Sequence, residues 1–186
     1  MGRQKLLLPW AGKLLIRHLV DELLASLLDE VVVVTGPDHE RVSGALSGTK
    51  VSLVQNPRIE DGMLSSVRMG LLSVAPDVAG FMVVLGDQPS LNASLIDRLI
   101  REWWEDTSRI IRPRFGDRNG HPVLIPAEYR QRVLNEFDDV GLKGLLRAVP
   151  ERIRAVSVAD PGAITDIDTP DQLAEERARL GIFDGD

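Results

Sequence analysis

Two apolar runs constrain this chain more than any other feature. Val31-Val32-Val33-Val34-Thr35 is halted by Gly36-Pro37, and Phe81-Met82-Val83-Val84-Leu85 is halted by Gly86-Asp87-Gln88-Pro89. Neither run alternates apolar with polar residues. Strands of that kind are covered on both faces, as in parallel sheets sandwiched between helices. Helical periodicity surrounds them. Over 13–28, Leu15, Ile16, Leu19, Val20, Leu23, Leu24, Leu27 and Leu28 recur at spacings of three and four, which predicts an amphipathic helix with a wide apolar face. Further helices are predicted over 38–46 and 63–74, and from a cap at Asn92 through Trp103. Shorter ones follow over 127–135 and 141–148. Strands are predicted over 51–54, 109–115, 122–125 and 153–158, with Asn119-Gly120 as a hairpin turn. The last helix begins at Thr169-Pro170-Asp171-Gln172, where Thr169 caps, Pro170 takes the first helical position and Gln172 completes a capping box. The alternation implies an α/β fold: a Rossmann-like, mostly parallel sheet with right-handed crossovers and one antiparallel hairpin insertion.

No internal repeat or long linker interrupts 1–186, so one domain is expected. An apolar fraction of 44% and a charged fraction of 27% are those of a globular chain. The net charge is −6, so electrostatic capture of nucleic acid is not expected, and a site handling phosphates must bring its own cation. There is no cysteine, which removes disulfides, thiolate metal sites and Cys nucleophiles. Pro9, Lys13 and Arg17 interrupt the early leucines before a signal core or membrane span could form. No membrane partner and a cytoplasmic location are therefore expected.

In parallel sheets, ligands collect at the carboxyl ends of strands, and Asp87 stands at such an end. A carboxylate there suits Mg²⁺, which binds one or two carboxylates plus substrate phosphates and keeps several waters. A turn aspartate with no ligand is an equally available reading. Asp166 and Asp168 flank Ile167; with Ile167 in the core, both carboxylates turn to one side. The helix macrodipole alone would also favour acids there. Asn56, Gly62, Ser65 and Ser66 form a third cluster, around a loop and a helix start where free N–H groups attract anions. Lys5 and Arg3 are amino-terminal cations, and His121 sits beside a turn in Gly120-His121-Pro122. There is no HExxH-type spacing, Gly-x-Ser-x-Gly elbow, Walker loop or Gly-x-Gly-x-x-Gly fingerprint.

Five segments together resemble the molybdenum cofactor cytidylyltransferases, within the group that includes the guanylyltransferase of the same cofactor. They are Met1-Gly2-Arg3-Gln4-Lys5-Leu6-Leu7-Leu8-Pro9-Trp10, Asn56-Pro57 with Gly62-Met63-Leu64-Ser65-Ser66, Leu85-Gly86-Asp87-Gln88-Pro89, Gly120-His121-Pro122 and Asp166-Ile167-Asp168-Thr169-Pro170. The resemblance implies a fold of the nucleotide-diphospho-sugar transferase type. It implies transfer of CMP from CTP to the terminal phosphate of the molybdenum cofactor, with release of pyrophosphate. By position, Lys5 would contact the phosphates, and Asp87 and Asp168 would hold Mg²⁺ or Mn²⁺. Asn56, Gly62, Ser65 and Ser66 would line the base and ribose pocket, and His121 would sit near the substrate. A molybdenum hydroxylase receiving the cofactor is the implied partner. The alternatives are a guanylyltransferase or other nucleotide transferase, a non-catalytic carrier of the cofactor, or a redox enzyme on the same fold. Family members open with a strand and a Leu-Ala-Ala-Gly-x-Ser-x-Arg loop before the Met-Gly segment. The fold is therefore expected to lack its first central strand, and this chain to bind CTP poorly.

Overall fold

The computed structural model describes residues 5–182. A 3₁₀ turn, Lys5–Leu7, leads into a small antiparallel hairpin of β1 (Pro9–Trp10) and β2 (Lys13–Leu14). Then come α1 (Leu15–Leu24), β3 (Val32–Thr35), α2 (His39–Ala45), β4 (Ser52–Gln55), α3 (Met63–Ser73) and β5 (Gly80–Val83). The second half holds α4 (Ala93–Trp104), β6 (Ile110–Phe115), β7 (Arg118–Asn119), β8 (Val123–Pro126), α5 (Arg130–Asn135), α6 (Leu142–Ala148), β9 (Ile153–Ser157) and α7 (Pro170–Leu180).

The unalternating runs form β3 and β5, and β5 packs on both faces, Phe81 and Val83 on one core and Met82 on the other, although the residues of both strands are mostly half-buried. Successive residues of β6 and β8 point into different cores. Ile111 and Leu124 pack with Leu19, Leu95, Leu99 and Trp103 of α1 and α4. Ile110, Val123 and Ile125 pack with Leu71 of α3, Val133 of α5 and Leu145 of α6. Burying one such aliphatic side chain contributes about 1.5–3 kcal/mol, and the two helix layers hold the sheet between them. β5, β6 and β9 run in one direction, and β8 alone lies between β5 and β6 in the opposite sense. That is the expected antiparallel insertion. Its turn differs from expectation: Phe115 pairs with Arg118, so the tight turn falls at Gly116-Asp117, with φ +56° at Gly116. Gly120 instead lies against Ile164, leaving no room for a Cβ.

The sheet is broken. β3 and β4 pair in parallel by themselves, while β5, β8, β6, β7 and β9 form a separate five-stranded sheet. Among the described residues no strand links β3 to β5, in keeping with the expected lack of a central strand. The first helix is shorter than its periodicity at both ends: Lys13 and Leu14 are drawn into the hairpin, and α1 stops at Leu24 rather than Leu28. Both cap expectations hold: Asn92 accepts from the Leu95 N–H at 3.0 Å, and Thr169 and Gln172 form a reciprocal capping box. No helix among the described residues is long and apolar enough to cross a membrane.

Candidate functional site

The carboxyl end of β5 continues through Gly86 into Asp87, and Gly86 is there for closeness. A Cβ on it would stand 2.9 Å from Leu6 Cδ2, so glycine lets the Leu6 side chain lie against the end of this strand without shifting. The approach brings Lys5 to Asp87. The third participant arrives from the far end of the chain. Ile167 is fully buried against Trp10, Leu15 and Leu173, and its N–H donates to the Asp87 carbonyl at 2.9 Å. This anchor holds Asp166 and Asp168 beside Asp87.

The Lys5 ammonium bridges the two carboxylates, donating to Asp87 Oδ2 at 2.5 Å and to Asp168 Oδ1 at 3.0 Å. Partial burial works against its charge. The hydrogen bonds and attraction from Asp87 and Asp168 outweigh that, so the Lys5 pKa is raised. Asp87 is mostly sheltered and Asp168 mostly exposed, at 22% and 70%. Asp166 takes a different part: its Oδ1 accepts from Gln88 Nε2 at 2.8 Å, and Gln88 is only 1% exposed.

Asp87 Oδ1 is buried without a hydrogen-bond partner. An orphaned carboxylate oxygen beside a second carboxylate suits a hard divalent cation. Among the described residues no group of three or more His, Asp or Glu forms a ready cage. The Lys5 ammonium supplies positive charge beside both carboxylates.

The expected nucleotide cluster is present but divides into two parts. Asn56, 3% exposed, donates through Nδ2 to Ser65 Oγ at 2.7 Å and Ser66 Oγ at 3.0 Å. Its Oδ1 accepts from the Arg58 N–H, and Ser65 donates back to the loop carbonyls of Arg58 and Gly62. Asn56 and Ser65 are thus a brace across 56–62, with their hydrogen-bonding capacity largely spent within the loop. Gly62 adopts φ +88° at the start of α3, a conformation that favours glycine. Ser66 lines the same cavity as Lys5 and Asp168, whereas Asn56, Gly62 and Ser65 do not.

His121 is half-buried within the electrostatic reach of Asp87 and Asp166. Burial and the Arg112 charge lower its pKa, while Asp166 and Asp87 pull the other way and Lys143 adds to the lowering. Arg112 is a member of this group that sequence reasoning missed. It stands in β6 between buried Ile111 and Pro113, with a buried Nε that has no hydrogen-bond partner. The available signal was an arginine set between the apolar residues Ile111 and Pro113 of a predicted strand. Arg3 lies outside the described residues.

Comparison with known proteins decides the family. The sequence matches the MobA-like NTP transferase domain over residues 1–155. The chain belongs to that family. It is 29% identical to nicotine blue oxidoreductase of Paenarthrobacter nicotinovorans, covering 93% of this chain and 88% of that protein. It is 22% identical to molybdenum cofactor cytidylyltransferase of Escherichia coli, covering 96% and 90%. Among solved structures, Rv0371c of Mycobacterium tuberculosis in complex with manganese superposes with a TM-score of 0.72 at 26% identity, over 94% of this chain and 91% of that one. A nucleotidyl transferase of Methanothermobacter superposes at 0.81, with 24% identity over 95% and 84%. The fold of this nucleotidyltransferase family member is therefore the nucleotide-diphospho-sugar transferase fold, as expected.

Proposed function

We propose that this chain transfers CMP from CTP to the terminal phosphate of the molybdenum cofactor, releasing pyrophosphate. One observation carries the reading: carboxylates from two distant stretches, Asp87 and Asp168, meet at the Lys5 ammonium within 3.0 Å. Asp87 and Asp168 would hold Mg²⁺ or Mn²⁺, which when bound neutralises crowded phosphate oxygens and polarises the phosphorus under attack. Lys5, which bridges the two carboxylates, would offer its ammonium to the triphosphate. The Ser66 hydroxyl and the Gly62 turn meet the ribose and base, held in place by Asn56 and Ser65. A half-buried His121 whose pKa is lowered offers a neutral imidazole near the acceptor. The acceptor phosphate attacks the α-phosphorus in line as the pyrophosphate oxygen leaves. Positioning and charge neutralisation supply the rate, with no covalent protein intermediate.

The reading is supported by membership of an NTP transferase family and by the relative that is a molybdenum cofactor cytidylyltransferase. Delivery to a molybdenum hydroxylase would follow from it. The test is pyrophosphate release with the cofactor as acceptor, offered CTP or GTP, for wild type, Asp87→Asn and Asp168→Asn. Turnover with CTP is expected to fall about 100-fold in each variant. Wild-type rates in both variants would sink the metal assignment, and a preference for GTP would move the chain to the guanylyl reading. A redox role is the second reading, favoured by the 29% identical oxidoreductase. Cofactor-dependent oxidation of a nicotinamide without any nucleoside triphosphate would establish it instead.

A further inference from the structure

Among the described residues, Arg112 of β6 is a half-buried cation with no counter-charge of its own. Ile111, Leu124 and Met82 form one row across β6, β8 and β5, and all three pack with α1 and α4. Side chains alternate faces along a strand. Arg112 therefore falls on the opposite face with Ile110, which packs with α3, α5 and α6. Its Nε is buried without a hydrogen-bond partner. Burial lowers its pKa, yet an arginine keeps its charge at neutral pH. A charged donor left unfilled in this way is destabilising, and a bound acceptor removes the penalty.

Two further groups gather there. Lys143 is exposed on α6, next to Leu142 of the same core. The charges of Arg112 and Lys143 both act on half-buried His121, against those of Asp166 and Asp87, so the five groups are neighbours. The two carboxylates are engaged elsewhere: Asp87 Oδ2 takes the Lys5 ammonium and Asp166 Oδ1 takes the Gln88 amide. Arg114, two residues beyond Arg112 on the same face, is exposed and extends the positive edge toward the carboxyl end of the sheet. The cavity lined by Lys5, Ser66 and Asp168 runs along β3 and β5 and includes none of Arg112, His121 or Lys143. Asp87, at the end of β5, thus stands between that cavity and a cationic group on the β6 side.

We propose that Arg112, Lys143 and His121 form an anion subsite that takes the phosphomonoester group of the acceptor and holds it beside Asp87. The planar fork of Arg112 can meet two phosphate oxygens at once. Lys143 adds a mobile point charge, and the His121 imidazole adds one N–H donor. Two permanent cations match a dianion, which favours a phosphomonoester over a single carboxylate. The bearer of that phosphate rests on the proposed transfer, in which a terminal phosphate must reach an α-phosphorus near Asp87. The site itself stands on Arg112 and Lys143, which the transfer reading does not use.

The test is an NMR titration of the His121 ring signals with inorganic phosphate, without nucleotide or metal, at ionic strength held constant with chloride. Wild type, Arg112→Met and Lys143→Gln are compared. Saturable shifts are expected in wild type, with the Kd for phosphate raised about tenfold or more by Arg112→Met and several-fold by Lys143→Gln. Lys143 is exposed, so its variant keeps the test decisive if Arg112→Met fails to fold. No saturable shift in wild type, or a wild-type Kd in Lys143→Gln, would overturn the proposal. In the pyrophosphate-release assay both variants should raise KM for the acceptor and leave KM for CTP unchanged. A rise confined to CTP would place these cations on the nucleotide and overturn it too. If wild type gives no turnover while phosphate still moves His121 and the variants weaken that, the transfer reading fails and the subsite stands. Normal turnover with His121 unmoved by phosphate sinks the subsite alone.

Discussion

At Asp87 three different demands meet on one side chain: Oδ2 takes the Lys5 ammonium, the backbone carbonyl takes the Ile167 N–H, and Oδ1 is left buried and unpartnered. The strand run and its Gly-Asp ending place this residue, and both are visible in sequence. Its company is not, because Lys5 and Asp168 reach it only through tertiary contacts of Leu6 and Ile167. Asn56 shows the opposite case. Its motif position suggested a ligand contact, whereas its buried amide is committed to Ser65 and Ser66. His121 carries a prediction of its own. Burial first, and then the Arg112 charge, put its folded pKa below the 6.5 of an ordinary histidine, with Lys143 on the same side and Asp166 and Asp87 opposed. Below pH 6.5 the unfolded chain binds a proton that the folded chain refuses, so stability declines as pH falls through that value toward the lower folded one. Above it both forms are neutral and nothing is gained. The thermal midpoint of wild type is therefore expected to drop more between pH 7.5 and 5.5 than that of His121→Gln. Equal drops would show that this imidazole is not the one refusing the proton.

Among the elements, the helices explain themselves most fully. α4 turns Leu95, Ile96, Leu99, Ile100 and Trp103 inward at the three-and-four spacing read from the sequence. α7 is the informative helix, because its start fixes Asp168. Thr169 accepts from the Gln172 N–H at 3.1 Å, while the Gln172 side chain accepts from the backbone N–H groups of Asp168 and Thr169. Thr169→Ala is expected to cost about 0.5–2 kcal/mol in denaturant unfolding. It should also weaken metal-dependent nucleotide binding, by loosening Asp168. A variant as stable as wild type would mean that this box does not order the helix start. The hairpin was the element least legible. Asn119-Gly120 is the stronger local turn signal, yet the chain turns at Gly116-Asp117 because Gly120 is needed for contact with Ile164.

For the whole molecule, a net charge of −6 makes a bare triphosphate an unwelcome guest. The acidic pair repels it, and Lys5 alone cannot offset both carboxylates and the phosphates. Nucleotide binding by calorimetry is expected to vanish on adding a chelator and to return with Mg²⁺ or Mn²⁺ in excess. Equal binding with and without the metal would count against the cation at Asp87 and Asp168. By itself the sequence determined the main strands and helices, and that acids stand near the carboxyl ends of strands. Those properties follow from local periodicity, capping chemistry and turn residues, which act over a few neighbours. Only the tertiary structure decided that Lys5 and Asp168 converge on Asp87 and that Asn56 braces a loop. Such outcomes depend on which distant surfaces pack together, and packing is a property of the assembled layers that no short stretch of chain contains.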